Sequence, residues 1–248
     1  MQYGICHLSI VPIRSETAET AEMISQVLYG EHFKVLEKRK YWSKIRTAFD
    51  SCEGWVQNVQ ITSLDEDQYR ELDTDTSPKH TTDLVSYVEI DKSNLLPILL
   101  GSVFHKNSEH IHEGNLISSK QEKPNLINTA LLYLNSPYLW GGKTPFGIDA
   151  AGFTQMVYRI NGYQLVRTAM GQAAQGTALS FIEESKAGDL AFFDNNEGII
   201  DHVGILMDNN YIIHVHGKVR IDRIDHTGIF NNETKSYTHQ LRVIKKII

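Results

Sequence analysis

The chain has 248 residues, a mass of 28.2 kDa and 41% hydrophobic content, enough for one large or two to three small domains with packed cores. Its 24 basic and 30 acidic side chains give a formal charge of -6 and form no basic block that would follow a phosphate backbone, so no nucleic-acid partner is expected. No apolar run approaches the roughly 18 residues that cross a bilayer, so no membrane partner is expected either.

The segment from Gln2 to His7 lacks the charged and apolar regions of an export signal, so the cytoplasm is the expected compartment. Removal of a signal before an added initiator Met would make the chain an exported one instead. Cys6 and Cys52 are too few for a disulfide framework and have no zinc-type spacing. Both are expected as buried small apolar side chains.

Short alternating stretches at 5–13, 23–28, 34–37, 42–47 and 54–58 predict strands separated by turn-rich gaps, the layout of a small barrel over residues 1–64. Gly30 and Gly54 fall where tight turns or bulges are expected. Residues 65–82 are polar, contain Pro78 and read as a linker with a short helix at 68–72. Strand-like stretches at 84–90, 98–104 and 110–116 predict a second, more divergent barrel over 83–123, with His105, His110 and His112 as solvated loop or edge residues. After Pro124 the period changes. Helices are predicted at 126–134, 154–160 and 172–175, then strands at 190–193, 202–207, 211–215, 219–224 and 241–247, so residues 124–248 have an α+β layout.

The run Pro137-Tyr138-Leu139-Trp140-Gly141-Gly142 through Gly147-Ile148-Asp149-Ala150-Ala151-Gly152-Phe153 closely resembles the catalytic segment of the NlpC/P60 family, in which Tyr-x-Trp-Gly-Gly leads to Asp-Cys-Ser-Gly-Phe at the start of a helix. Asp201-His202-Val203-Gly204-Ile205 and Ile212-Ile213-His214 extend the resemblance, and the pattern from Leu28-Tyr29-Gly30 to Gly54-Trp55-Val56 resembles a bacterial SH3 domain. The resemblance implies a papain-like α+β domain behind two small SH3-like β-barrels, acting on a murein-derived or related small peptide without a cofactor. It places Ala150 at the nucleophile position, His202 at the base and His214 at the residue that orients the base. It also implies substrate contacts from Tyr138, Trp140, Asp149, Ala151, Arg167, Thr168, Met170 and His216. Oligomeric state is left open.

Ala150 offers a methyl group where the family has a sulfur that a helix N-terminus helps to ionise. Relatives that cut after γ-D-glutamate carry Arg-Asp-Ala, whose carboxylate pairs with the peptide ammonium. Here the segment reads Arg167-Thr168-Ala169. An ammonium buried without that carboxylate is costly to desolvate. The small hydroxyl after the third catalytic position is replaced by His216.

A laboratory knockout would change one position, whereas Ala151, Thr168, Met170 and His216 depart together, which favours natural drift. Two functions remain open: a catalytically inactive binding or regulatory homologue, and a γ-D-glutamyl-L-diamino acid endopeptidase whose cysteine was changed to Ala150 by engineering. Thr154, Cys6 and Cys52 are weak substitutes for the nucleophile. A metal site on His202, His214 and His216 is weighed and set aside, because His214 and His216 share one face only if their strand is regular and no nearby cysteine or glutamate completes the set.

Overall fold

The computed structural model describes residues 2–91, 94–106, 108, 110–118, 120–195 and 197–248. Positions 1, 92, 93, 107, 109 and 119, which fall inside the two predicted barrels, lie outside the described residues. The chain divides into two compact units, one of Met1–Lys120 with Trp140–Pro145 and one of Gln121–Leu139 with Phe146–Ile248.

In the first unit, strands β1 (Gln2–Ile5), β2 (Ile10–Arg14), β3 (Met23–Leu28), β4 (His32–Lys38), β5 (Trp42–Thr47), β6 (Glu53–Gln57) and β7 (Thr62–Leu64) make one antiparallel sheet in the order β3-β2-β6-β5-β4-β1-β7. Cys6, Val11, Ile13, Val27, Phe33, Ile45 and Val56 form the core of this SH3-like domain. The single strand predicted over 5–13 is two. The chain bends at Leu8 and Ser9, just past the fully buried Cys6, whose thiol lies against the Leu8 and Val27 carbonyls, and β2 then runs beside β3 and β6 rather than beside β4. Gly30 has φ +80°, and a Cβ there would fall 1.9 Å from the Val103 carbonyl oxygen, so only glycine fits.

The stretch read as a linker holds helix α1 (Glu66–Asp73), started by a capping box between Asp65 and Gln68, and strand β8 (Lys79–Thr81). Strands β9 (Val85–Asp91), β10 (Asn94–Leu99), β11 (Val103–Phe104), β12 (Ile111–Glu113) and β13 (Leu116–Ile117) follow, in two three-stranded sheets, β10-β9-β12 and β11-β8-β13. Left-handed glycines split two predicted strands, Gly101 (φ 85°) between β10 and β11 and Gly114 (φ 149°) between β12 and β13. Val88, Ile98 and Phe104 pack with Tyr29 in one small core.

The histidines expected in solvent here are half-buried and bonded. His105 spans Asp75 (3.3 Å) and the Gly30 carbonyl (3.2 Å), His110 meets the Tyr29 hydroxyl (2.5 Å) and His112 meets Ser86 (2.9 Å). Trp140–Pro145, with strand β14 (Lys143–Thr144), is held in this unit by Lys143, whose buried ammonium lies 3.0 Å from Glu31 and 3.2 Å from the Gln26 carbonyl.

The second unit opens with α2 (Pro124–Leu132), which has proline at its first turn, and continues through β15 (Gly147–Ile148), α3 (Ala150–Ile160), α4 (Ala169–Ala173) and β16 (Thr177–Leu179). Strands β17 (Leu190–Asp194), β18 (Ile200–Met207), β19 (Tyr211–His216), β20 (Lys218–Ile224), β21 (Gly228–Asn231) and β22 (Ser236–Lys246) then follow one another.

Each of these six strands pairs antiparallel with the next, and β22 pairs with both β21 and β17, so they close into a barrel that β16 extends from β22. Its core contains Ala191, Phe193, Leu206, Ile212, Ile224, Ile229 and Ile244. α3 packs against α2, β18 and β19. The strand predicted over 241–247 begins at Ser236 instead, because β21, which the sequence reading missed, supplies hydrogen-bond partners to its polar first half. Among the described residues no helix is long and apolar enough to cross a membrane.

Candidate functional site

α3 starts where the family motif is expected to start a helix. Asp149 has extended backbone and caps it, its carboxylate accepting from the Gly152 amide at 2.7 Å. Arg167 grips the same carboxylate through two bonds of 2.9 and 2.5 Å, and both side chains are about nine-tenths buried. Asp149 and Arg167, both expected as substrate contacts, neutralise each other and fix the helix start, as a forked guanidinium–carboxylate pair does.

Ala150 opens the helix and is 6% exposed, with Ala151 beside it. Thr154 is fully buried and donates to the Gln172 amide oxygen at 2.7 Å, while Gln172 donates to the Ala151 carbonyl at 2.9 Å, which ties α3 to α4. The Thr154 hydroxyl is already engaged, and Cys6, whose thiol burial pushes up to about 12, belongs to the other unit, as does Cys52.

The segment leading to Ala150 is pinned to the turn between β19 and β20. The Tyr138 amide donates to the Gly217 carbonyl (2.9 Å), the Val219 amide to Ser136 (2.8 Å) and the Leu139 amide to Ile148 (3.1 Å). Among the other expected substrate contacts, Thr168 caps α4 by accepting from the Gly171 amide (3.2 Å) and Met170 is 62% exposed. Tyr138 is also exposed. Trp140 falls in the first unit, where its indole donates to Glu22 at 2.6 Å.

The histidines come together through strand alternation. Two- and four-residue steps from the core residues Leu206 and Ile212 carry the inward face along β18 to His202 and along β19 to His214. The same rule takes β20 from Ile224 to Asp222, and the pairing of Ile229 with His239 puts that ring on the inward face of β22. His202 Nε2 donates to His214 Nδ1 at 3.0 Å, and His214 Nε2 donates to Asp222 at 3.0 Å. His239 stacks on His202 with ring centroids 3.9 Å apart. One ring nitrogen from each of His202, His214 and His239 lies within 4.8 Å of the others.

Burial works to raise the Asp222 carboxyl, but hydrogen bonds from His214 and Arg220 prevail and hold it at about 2. A carboxylate only accepts, so the His214 proton sits on Nε2 and its Nδ1 lone pair faces His202. Burial, reinforced by the neighbouring rings, lowers His202 well below the ordinary imidazole value and His239 to about 4. His214 is lowered less, because Asp222 opposes its burial. All three are neutral imidazoles at pH 7.

His216, weighed as a third metal-facing ring, is exposed at the strand end with its centroid 6.5 Å from His214. His239 takes that place, so the expectation of no metal-binding set meets a different cluster. Asp222 and His239 escaped the sequence reading. A charged residue at an inward-alternating position of the predicted strand 219–224 was a usable sign for Asp222. Nothing local marks His239, which only the register of β21 on β22 brings in.

Two parts of the chain match known families: residues 135–239 match the NlpC/P60 family, and residues 13–61 match the bacterial dipeptidyl-peptidase Sh3 domain. Over 225 residues the chain is 26% identical to a gamma-D-glutamyl-L-lysine dipeptidyl-peptidase of Bacillus subtilis (strain 168), covering 77% of this chain and 71% of that one. It is 26% identical to dipeptidyl-peptidase 6 of Lysinibacillus sphaericus, covering 78% and 80% of the two chains. The crystal structure of an NlpC/P60 family protein from Bacillus cereus ATCC 10987 superposes with a TM-score of 0.84 over 99% of both chains at 18% identity, a likeness of fold. The chain therefore carries an NlpC/P60 domain behind a bacterial dipeptidyl-peptidase-type SH3 domain.

Proposed function

We propose that this chain is a catalytically inactive binding or regulatory homologue of the NlpC/P60 peptidases that takes a murein-derived peptide. The observation that carries the reading is Ala150 at the start of α3, a methyl group where thiol chemistry needs sulfur, while the His202–His214–Asp222 relay stays hydrogen-bonded. Similarity to a gamma-D-glutamyl-L-lysine dipeptidyl-peptidase supplies the peptide class. Thr168 supports loss of turnover as well: its side chain caps α4 and brings no charge to an ammonium group.

The test is incubation with L-Ala-γ-D-Glu-L-Lys and with its diaminopimelate counterpart, with calorimetric titration alongside. Binding without release of L-Ala-D-Glu above a protein-free blank is expected. Product above the blank ends the reading.

The retained histidine relay favours one second reading, an endopeptidase deprived of its cysteine. Ala150→Cys separates the two. A peptidase intact in every other respect would regain several orders of magnitude over background. The inactive homologue stays at least about a hundredfold below that, because Ala151 and Thr168 remain changed.

A further inference from the structure

We propose that His202, His214 and His239 form a binding site for one divalent transition-metal ion, with zinc the best-suited cation. The three side chains come from β18, β19 and β22 and point to the same end of the barrel interior, each with one ring nitrogen within 4.8 Å of the other two. Two nitrogens bound to a tetrahedral zinc at its usual bond length stand about 3.3 Å apart. His202 Nε2 and His214 Nδ1 already stand 3.0 Å apart. Bringing all three nitrogens to that spacing starts from separations of at most 4.8 Å.

The surroundings fit a metal better than a proton relay alone requires. Asp222 holds the His214 Nε2 proton and so aims the Nδ1 lone pair inward, the outer-shell arrangement that orients metal-bound histidines. Arg220 fixes Asp222 in turn through bonds of 2.6 and 3.0 Å. Phe193 closes one side, its ring centroid 5.7 Å from His202 and 6.0 Å from His239. When the ion binds, His202 changes tautomer: its Nε2 proton passes through solvent to Nδ1, and the freed lone pair joins the ion. An all-imidazole set selects zinc, copper, nickel or cobalt and gives calcium and magnesium no oxygen ligands. With three protein ligands, a fourth position is left for water or a ligand atom.

The proposal does not depend on the peptide-binding reading, and its test uses no peptide. The full chain is titrated with Zn(II) by calorimetry and with Co(II) by visible absorption. One ion per chain is expected, with the strong visible bands of four-coordinate cobalt. His239→Ala is expected to weaken binding by more than the roughly 10–100-fold that loss of an outer-shell partner costs, while His216→Ala stays within about threefold. Imidazole NMR signals of the unaltered chain are a reading that no variant's folding can spoil: those of His202, His214 and His239 move together on adding Zn(II), and those of His32 and His105 stay in place. Absence of one-to-one binding, indifference to His239→Ala, an equal loss in His216→Ala, or NMR shifts centred on other histidines would each overturn the assignment.

Discussion

The two units treat buried polar groups differently. In the first, these groups are mostly closed off against immediate neighbours: Lys143 on Glu31, His105 on Asp75 and the Gly30 carbonyl, His110 on Tyr29, His112 on Ser86. In the second, Arg167 and Asp149 close in the same way, but three imidazoles gather with one nitrogen of each within 4.8 Å of the others, His239 stacking on His202. A closed pair stabilises a fold and offers nothing to a ligand. The gathered rings are neutral, and an ion that binds there exchanges the His202–His214 hydrogen bond for bonds to nitrogen. Changes in the first unit are therefore expected to register as stability, and changes at the convergent histidines as binding.

The largest effect expected is on the first unit. Lys143→Met leaves Glu31 buried with its ammonium partner removed, and breaking such a pair costs about 3–5 kcal/mol. Trp42, Trp55 and Trp140 all lie in that unit, so urea unfolding followed by tryptophan fluorescence reads it selectively. A loss below about 1 kcal/mol, the range of exposed pairs, would mean that water reaches this ion pair and that the pair is not closed.

Next is acid. His239 is held at about 4 and His202 is also lowered, so below pH 6.5 the unfolded chain takes up protons first. Stability of the second unit is unchanged above pH 6.5 and falls between pH 6.5 and 4, by on the order of 3 kcal/mol from His239 alone. Hydrogen exchange of β18, β19 and β22 amides, corrected for intrinsic rates, measures it. His239→Gln is expected to flatten the slope. An unchanged slope would place the acid sensitivity elsewhere.

Two smaller effects sharpen the contrast. Asp222→Asn frees the His214 ring to turn and is expected to weaken Zn(II) binding about 10–100-fold in the same titration. His105→Ala removes two hydrogen bonds from the first unit and is expected to cost about 1–3 kcal/mol there, with Zn(II) affinity unaltered. A fall in zinc affinity in His105→Ala would break the division between stabilising and binding histidines.

Much of this was legible from local pattern. The Tyr138 to Phe153 run located the helix start, and period-two alternation located β17 to β20, because a helix cap and a half-buried strand are set by residues a few positions apart. The alternation also carried His202 and His214 toward each other, since a short connection between neighbouring strands leaves few other registers. Where glycine takes a left-handed turn, as at Gly101 and Gly114, the apolar pattern ran on and the predicted strands came out too long.

The sequence alone determined that a sulfur is absent at Ala150, that a helix begins there and that two histidines sit on adjacent strands. Tertiary structure decided the rest. Asp149 and Arg167, 18 positions apart, turned out to be partners. His239 joined histidines 37 and 25 positions earlier, because closure of the barrel brought β22 around to β17. Such contacts depend on which strand edges meet when the sheet closes, and that is set by the packing of the whole core and not by any spacing along the chain.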